Sequence, residues 1–241
     1  SLLVWASGTP LVWQPAGLWL LAATGIGIMV ATLLLYWGLA RGPVTVVAPI
    51  VGSYPALNVV LALVLGVRPT TLQWAAMAAV LTGVVLVAVA ARAFEDGTTY
   101  TRRDLRKTVL IALSSSVSFA FAVAAAQGAT AVYGELQTVW AARWVSLAAV
   151  ALLLALRRRR PAIPGRWWPI LVLQGLLDGG AYLALVAGSE GPGSAITVVV
   201  ASGFGAVTVL LARVFLREAM TWGQWAGVAL VVVGVAVLSG Q

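Results

Sequence analysis

Asp178 is a carboxylate within the apolar stretch GLLDGGAYLAL, which runs from 175 to 185. An ionisable group in the middle of an apolar helix costs roughly 2.5–3.5 kcal/mol on membrane insertion, so such residues are candidates for function. Gln174 lies four residues earlier and on the same helical face, which predicts a polar stripe rather than an isolated carboxylate. Gly179 and Gly180 follow, and they are typical either of close helix packing or of a helix that bends near the carboxylate.

Arg143 lies within a second apolar stretch, at a depth along its predicted helix similar to that of Asp178. Because the two helices are adjacent and antiparallel, we expect the two charges to approach each other. One interpretation is a pair that neutralises itself and fixes helix packing. The other is a pair that faces a central cavity and meets substrate or a proton. Trp140 shares the face of Arg143, and an aromatic wall beside a cation suits a flat or anionic organic solute; core or lipid packing is the alternative.

The segment from 44 to 66 contains Pro49 and Pro55, which remove backbone donors and leave carbonyl groups without partners. In lipid those carbonyls need partners, so the segment is predicted to face protein or a water-filled space. Tyr54 and Asn58 share one face of it.

The candidate residues fall into two groups. The substrate-binding candidates are Asp178, Arg143, Gln174, Trp140, Asn58, Tyr54 and Ser202, the last beside glycines in the segment 195–216. Gating or helix bending is assigned to Pro49, Pro55, Gly179 and Gly180. The hydroxyls of SSSVS at 114–118 either bond to their own helix or line a pathway.

Composition places these residues in a membrane protein. The chain of 241 residues is 61% hydrophobic and 9% charged, whereas an ordinary soluble domain is about 25% charged. It contains no cysteine and no histidine, which removes thiolate ligands and the commonest general base. The net charge of +8 comes from basic residues in short loops, which is typical of a cytoplasmic membrane face rather than of a nucleic-acid interface. No nucleic-acid partner, metal, cofactor or catalytic residue is therefore predicted.

Glycines, prolines and charges divide the chain into eight apolar segments, each long enough for a bilayer core of about 30 Å. The predicted transmembrane helices are 18–40, 44–66, 71–92, 107–129, 135–156, 168–188, 195–216 and 221–239. One side of these helices, called the basic face below, carries Arg41, Arg92, Arg102, Arg103, Arg106, Lys107, Arg157 to Arg160, Arg166, Arg213 and Arg217. The other side carries Arg68 alone, so the basic face is predicted to be cytoplasmic. The RRRR run is interpreted as a topology anchor, with a lipid-headgroup site as the alternative.

An internal repeat predicts the architecture. QWAAMAAVLTGVVLV from Gln73 and QWAGVALVVVGVAVL from Gln224 are identical at seven of fifteen positions. The copies lie five helices apart, an odd number, so they cross the membrane in opposite directions. The predicted fold is an all-α polytopic membrane protein of inverted five-helix repeats: a first repeat at 1–92, a cytoplasmic linker at 93–106 and a second repeat at 107–241. On this interpretation the first repeat lacks about two N-terminal helices, and eight of an expected ten full helices are visible.

Two stretches resemble the EamA-type domain of the drug/metabolite transporter superfamily. They are GPGSAITVVVASGFGAVTVLLARVFLREAMTWGQWAGVALVVVGVAVL at 191–238 and ARGPVTVVAPIVGSYPALNVVLALVLGVRPTTLQW at 40–74. The resemblance rests on the Gly-Pro turn, the small and β-branched helix after it, Arg217-Glu218 at its end and the Trp-Gly-Gln-Trp start of the last helix. The family often has an acidic residue where Glu218 lies. The other copy has Val67 and Arg68 there, so any role of this carboxylate differs between the copies.

The resemblance implies a multi-pass secondary active transporter of the cell (inner) membrane, which exports small organic metabolites such as amino acids by alternating access. Proton coupling through Asp178 is a hypothesis. The chain has no G-x-x-x-x-G-K-[ST] motif, so ATP hydrolysis is not expected. The expected partners are a small-molecule substrate and membrane lipid. Two other classes stay open: a non-transporting membrane adaptor, which needs no polar stripe at a cavity, and an intramembrane enzyme, for which one deep carboxylate is a poor catalytic set.

Overall fold

The structure is a computed structural model that describes residues 11, 13–64, 70–90, 102–158, 163–189, 204–218 and 220–239. Within these ranges the chain forms α-helices and short 3-10 turns and no strand. The helices are α1 (Leu18–Leu39), α2 (Val44–Gly52), α3 (Tyr54–Val64), α4 (Thr71–Ala90), α5 (Arg102–Tyr133), α6 (Glu135–Leu156), α7 (Trp168–Ser189), α8 (Phe204–Phe215) and α9 (Trp222–Ser239). Among the described segments, three are long and apolar enough to cross a membrane: Pro15–Leu39, Arg103–Tyr133 and Glu135–Leu156.

The charged residues before position 107 belong to a helix. The sequence predicts a helix at 107–129 after a linker, but α5 begins at Arg102 and continues to Tyr133. Asp104 lies in its first turn, where the helix dipole stabilises negative charge. Residues 102–106, which the sequence assigns to a linker at 93–106, are therefore helical, because charged side chains at a helix start are compatible with water and with helix formation.

The segment predicted as one helix at 44–66 is two helices, α2 and α3, which are separated at Ser53. Pro55 has no backbone N–H, so the helix cannot make its regular hydrogen bond there. Ser53 closes the end of α2 instead, since its backbone N–H and its hydroxyl both donate to the Ile50 carbonyl, at 3.3 Å and 2.7 Å. Pro49 lies inside α2 without ending it.

The short helix α2 lies at the centre of the larger hydrophobic core. Every residue from Thr45 to Gly52 is buried, and Val46, Val47 and Ile50 have no exposed surface. α2 packs against α5 and α8 and also contacts α1, α4 and α9. A helix that is apolar on all sides is expected in such a position.

A second, smaller core joins α1 to α5 and α6. It contains Leu21, Ala129, Tyr133 and Ala141. The Tyr133 hydroxyl donates a hydrogen bond to the Gln14 carbonyl just before α1. α1 is therefore held along its length by the two helices that begin the second half of the chain.

Helices α4 and α9 pack antiparallel with their backbones in contact. A Cβ atom added at Gly83 would lie 2.6 Å from the Gly227 carbonyl oxygen and 2.9 Å from the Val231 side chain. A Cβ atom added at Gly234 would lie 2.6 Å from the Val80 side chain. Such small residues let two helices approach closely, which is the packing that membrane helices use most.

The same capping box starts both of these helices. At α4 the Thr70 N–H donates to Gln73 Oε1 at 2.9 Å, and the Gln73 N–H donates to the Thr70 hydroxyl at 3.2 Å. At α9 the corresponding distances between Thr221 and Gln224 are 2.9 Å and 3.1 Å. This reciprocal arrangement satisfies two backbone donors that a helix start leaves without partners. The repeated Gln-Trp of the sequence is thus part of a Thr-x-x-Gln signal.

Gly83→Ala should destabilise the protein, because the new methyl group forces α4 and α9 apart. We expect a loss of about 1–3 kcal/mol in unfolding free energy, as for other overpacked sites. The matched control is Gly175→Ala in α7, where an added Cβ meets no atom within 4 Å. Melting temperatures in lipid nanodiscs, followed by tryptophan fluorescence, test this; equal temperatures for the two variants would contradict the packing argument.

Candidate functional site

Asp178 and Arg143 form an ion pair between α7 and α6. Arg143 Nη2 lies 2.8 Å from Asp178 Oδ2. Asp178 is the eleventh residue of α7 and Arg143 the ninth of α6, so each lies about 12–15 Å from its helix start at 1.5 Å per residue. The approach that the sequence predicts is therefore present. The side chains keep 53% and 66% of their surface exposed, so the described part of the protein does not seal the pair.

Gln174 makes a second polar contact one helical turn away. Its Nε2 donates a hydrogen bond to the Tyr36 hydroxyl at 2.8 Å. Gln174 and Asp178 therefore do form one polar stripe, which reaches α1 at one end and α6 at the other. Tyr36 was not a candidate from the sequence, and its place near the end of an apolar helix gave no sign of this partner.

The apolar surface of α7 around this stripe is open. Leu173, Leu176 and Leu177 are all exposed. Added Cβ atoms at Gly179 and Gly180 would meet no atom within 4 Å, so no described residue makes the close packing that these glycines permit. α7 is one continuous helix through both of them. Polar side chains, rather than apolar packing, join the middle of α7 to the described part of the protein.

Trp140 lies beside Arg143 in a row of three indole rings. Its ring centroid is 6.5 Å from that of Trp13 and 6.5 Å from that of Trp144, and both pairs are edge-to-face. Trp140 also packs against the smaller core, which is the alternative that the sequence analysis left open. Its Nε1 atom is buried and has no hydrogen-bond partner among the described residues. The row therefore combines apolar packing with one buried donor that has no partner among the described residues.

Tyr54 and Asn58 occupy a different place, on α3 where it packs against α5. The Tyr54 ring lies 5.9 Å from the Phe119 ring. Asn58 Oδ1 is buried without a hydrogen-bond partner among the described residues, and such an acceptor is uncommon because burying it unpaired costs free energy. The remaining candidate, Ser202, lies outside the described residues.

The serines of SSSVS make two kinds of contact, of which the sequence predicts one. Ser118 bonds back to its own helix through the Ser114 carbonyl, at 2.9 Å. Ser115 donates to the Ala31 carbonyl of α1 at 2.8 Å, and the Ser116 hydroxyl lies 3.5 Å from the Ser53 hydroxyl at the helix break. Ser115 and Ser116 are fully buried, so they join helices.

A double-mutant cycle tests the ion pair. Arg143→Gln or Asp178→Asn alone leaves one charge without its partner among apolar helices, so each should lower the melting temperature in nanodiscs. The double variant should lose less than the sum of the two, with a coupling of about 1 kcal/mol or more. Additive losses would mean that the two charges do not stabilise each other. Glu135→Gln, at the exposed start of α6, is the control for loss of a charge.

Comparison with known proteins supplies the family. The sequence profile of the EamA-like transporter family matches residues 1–89 and 106–240. One solved structure, a crystal structure of another protein, is 19% identical with a TM-score of 0.59, and the match covers 96% of this chain and 80% of that one. At that identity it supports a shared fold alone. No protein with a curated function matches.

Two profile matches together cover nearly the whole chain, and they agree with the resemblance that the sequence analysis identified. The helices described above are those of a multi-pass membrane protein. The chain belongs to the EamA-like transporter family, the transporter domain of the drug/metabolite transporter superfamily.

Proposed function

We propose that the protein is a secondary active transporter of the cell (inner) membrane that exports small organic metabolites such as amino acids. The solute passes by alternating access between two inverted repeats. Membership in the EamA-like family is the observation that carries this proposal. The Arg143–Asp178 pair adds a place where solute and protein can meet.

Support for inverted repeats comes from the contact between α4 and α9. Gly83 follows Gln73 by ten residues, as Gly234 follows Gln224, and Val80 and Val231 are likewise equivalent. Gly83 packs against Val231, and Gly234 packs against Val80. Equivalent residues thus exchange places across an antiparallel contact, which is what a two-fold axis in the membrane plane produces.

The ion pair can exchange partners. Arg143 and Asp178 neutralise each other, yet more than half of each side chain is exposed. An anionic group of a solute can replace Asp178 on Arg143, and a proton or a cationic group can replace Arg143 on Asp178. Gln174 lies one turn away on the same face, and the Trp140 ring is proposed as an aromatic wall beside the pair. A proton and a cationic group of the solute would thereby compete for Asp178, and this competition is one route to proton-coupled export.

The residues around the helix break form the second half of the proposed pathway. The buried acceptor of Asn58 has no partner among the described residues, so a polar solute or water that is admitted there when the helices move would find an unused acceptor. Tyr54 and Ser202 are proposed to line the same route. Pro49, Pro55, Gly179 and Gly180 are proposed to let α2, α3 and α7 bend during the change of access.

Asp178→Asn should remove proton coupling if Asp178 carries the proton. Purified protein in proteoliposomes would be screened for exchange of radiolabelled amino acids, first without and then with an imposed pH gradient. We expect the variant to keep exchange and to lose the stimulation by the gradient, since asparagine cannot titrate. Proton coupling through Asp178 is excluded if the variant keeps its dependence on the gradient.

The control for this assay is Glu135→Gln, which removes a carboxylate at the exposed start of α6 that has no proposed role in transport and should leave the pH dependence unchanged. If neither the unmodified protein nor the control variant transports solute, the alternative of a non-transporting membrane adaptor is favoured. That outcome would be strengthened if Asn58, Gln174 and Asp178, replaced by cysteine one at a time, were closed to water-soluble thiol reagents.

A further inference from the structure

Glu218 joins the end of α8 to the start of α2. Its Oε1 accepts a hydrogen bond from the Val44 N–H at 2.9 Å, and its Oε2 accepts one from the Thr45 N–H at 2.9 Å. The partners are more than 170 positions apart in the chain. Both oxygens of one carboxylate thus bind the first two residues of α2. Arg41, three positions before Val44, and Arg217, directly before Glu218, both belong to the basic face.

A tight chain reversal after α8 directs the carboxylate to this place. The Leu216 N–H bonds to the Ala212 carbonyl at 3.0 Å, and Arg217 has a φ of 54°. A left-handed conformation is costly for a residue with a side chain, by roughly 1–2 kcal/mol. Arg213 Nη1 then donates to the Glu218 carbonyl at 2.9 Å and holds the turn. The backbone is strained at Arg217, and the turn places the Glu218 side chain against the start of α2.

The contact supplies hydrogen-bond acceptors to the backbone N–H groups at the start of α2. This helix has nine residues, and its neighbours bury all but the first. The N–H groups of a helix start lack partners within the helix, and the helix dipole adds a partial positive charge there. α2 begins after Pro43, and no side chain of its own N-cap position makes a hydrogen bond. Glu218 supplies both the acceptors and the negative charge from the other half of the chain.

The equivalent position in the first copy has no acid. In the alignment that pairs Gln73 with Gln224, Gly66 and Val67 stand where Arg217 and Glu218 stand in the second copy. A carboxylate at this position is therefore present in the second copy and absent from the first.

We propose that Glu218 is the latch that keeps the protein closed at the basic face. On the proposed transport function, on which this inference rests, opening that face requires α2 and α8 to separate at this end. The two hydrogen bonds of Glu218 must break for that to happen. Glu218 acts through the position of α2 and touches no solute, so it is a positioning residue that sets which face is open at rest.

Cysteine labelling tests the latch without any solute, because the chain contains no cysteine of its own. Thr45→Cys places a thiol at a position that is 1% exposed. Val80→Cys, in α4 at a fully buried position, reports general loosening. A water-soluble methanethiosulfonate reagent applied from the basic side of proteoliposomes should label position 45 about tenfold or more faster when Glu218→Gln is added. Labelling at position 80, and labelling with Glu135→Gln as the added change, should stay the same.

Two results would overturn the proposal. An unchanged labelling rate at position 45 would mean that the contact does not hold this face closed. Equal acceleration at positions 45 and 80 would mean that Glu218 only stabilises the fold.

Hydrogen exchange gives a second measurement that needs no cysteine. In Glu218→Gln, backbone amides of the peptide that contains Val44 and Thr45 should exchange faster, while those of α4 and α9 should not. Uniform acceleration, or none, would count against the latch. Because neither measurement depends on solute, a latch without transport and transport without a latch are distinguishable outcomes.

Discussion

The short helix α2 is buried from Thr45 to Gly52, and both of its ends find hydrogen-bond partners outside the helix. The backbone groups at a helix end have no partners within the helix, so in a buried helix each needs a partner from the rest of the chain. Glu218 supplies acceptors at the start of α2, and Ser53 closes its end. Because one of these partners comes from the second half of the chain, burying α2 requires both halves to be in place. α5 and α8, which cover its sides, are fixed by the same requirement.

The contact between α4 and α9 meets a different requirement, which is close approach without a hydrophobic force. Two apolar helices gain little from leaving lipid for each other, so association depends on packing of small residues. Gly83 and Gly234 allow each backbone to touch the opposite helix. Both helices begin with the same Thr-x-x-Gln hydrogen bond, so equivalent residues lie at the same distance from the helix start in each. Similar sequences therefore produce similar local structures, and their antiparallel contact pairs equivalent residues.

The positions of helices such as α1, α6 and α7 could be predicted from the sequence, because the length of each apolar run of residues decides them. The break at Ser53 could not, since both sides of it are equally apolar and a proline such as Pro49 can also lie within a continuous helix. The Arg143–Asp178 pair was predictable, because only two charges lie at mid-depth on adjacent helices. The Glu218 contact was not, because nothing local indicates that an acid after α8 meets the start of α2. The resemblance marked Glu218 as notable without indicating its partner.

The middle of α7 is where structural and functional interpretations of a polar residue converge. Its leucines are exposed around the polar stripe. A helix that is apolar on all sides has no preferred rotation about its own axis in lipid. Asp178 and Gln174 break that equivalence, since only one rotation brings them to Arg143 and Tyr36. The pair therefore orients the helix. For the same reason, anything that displaces one partner also releases that orientation. On the proposed transport function, a solute or proton that takes over one half of the pair acts on the position of α7 as well as on its own binding, so the structural role of the ion pair is the physical basis of the proposed functional one.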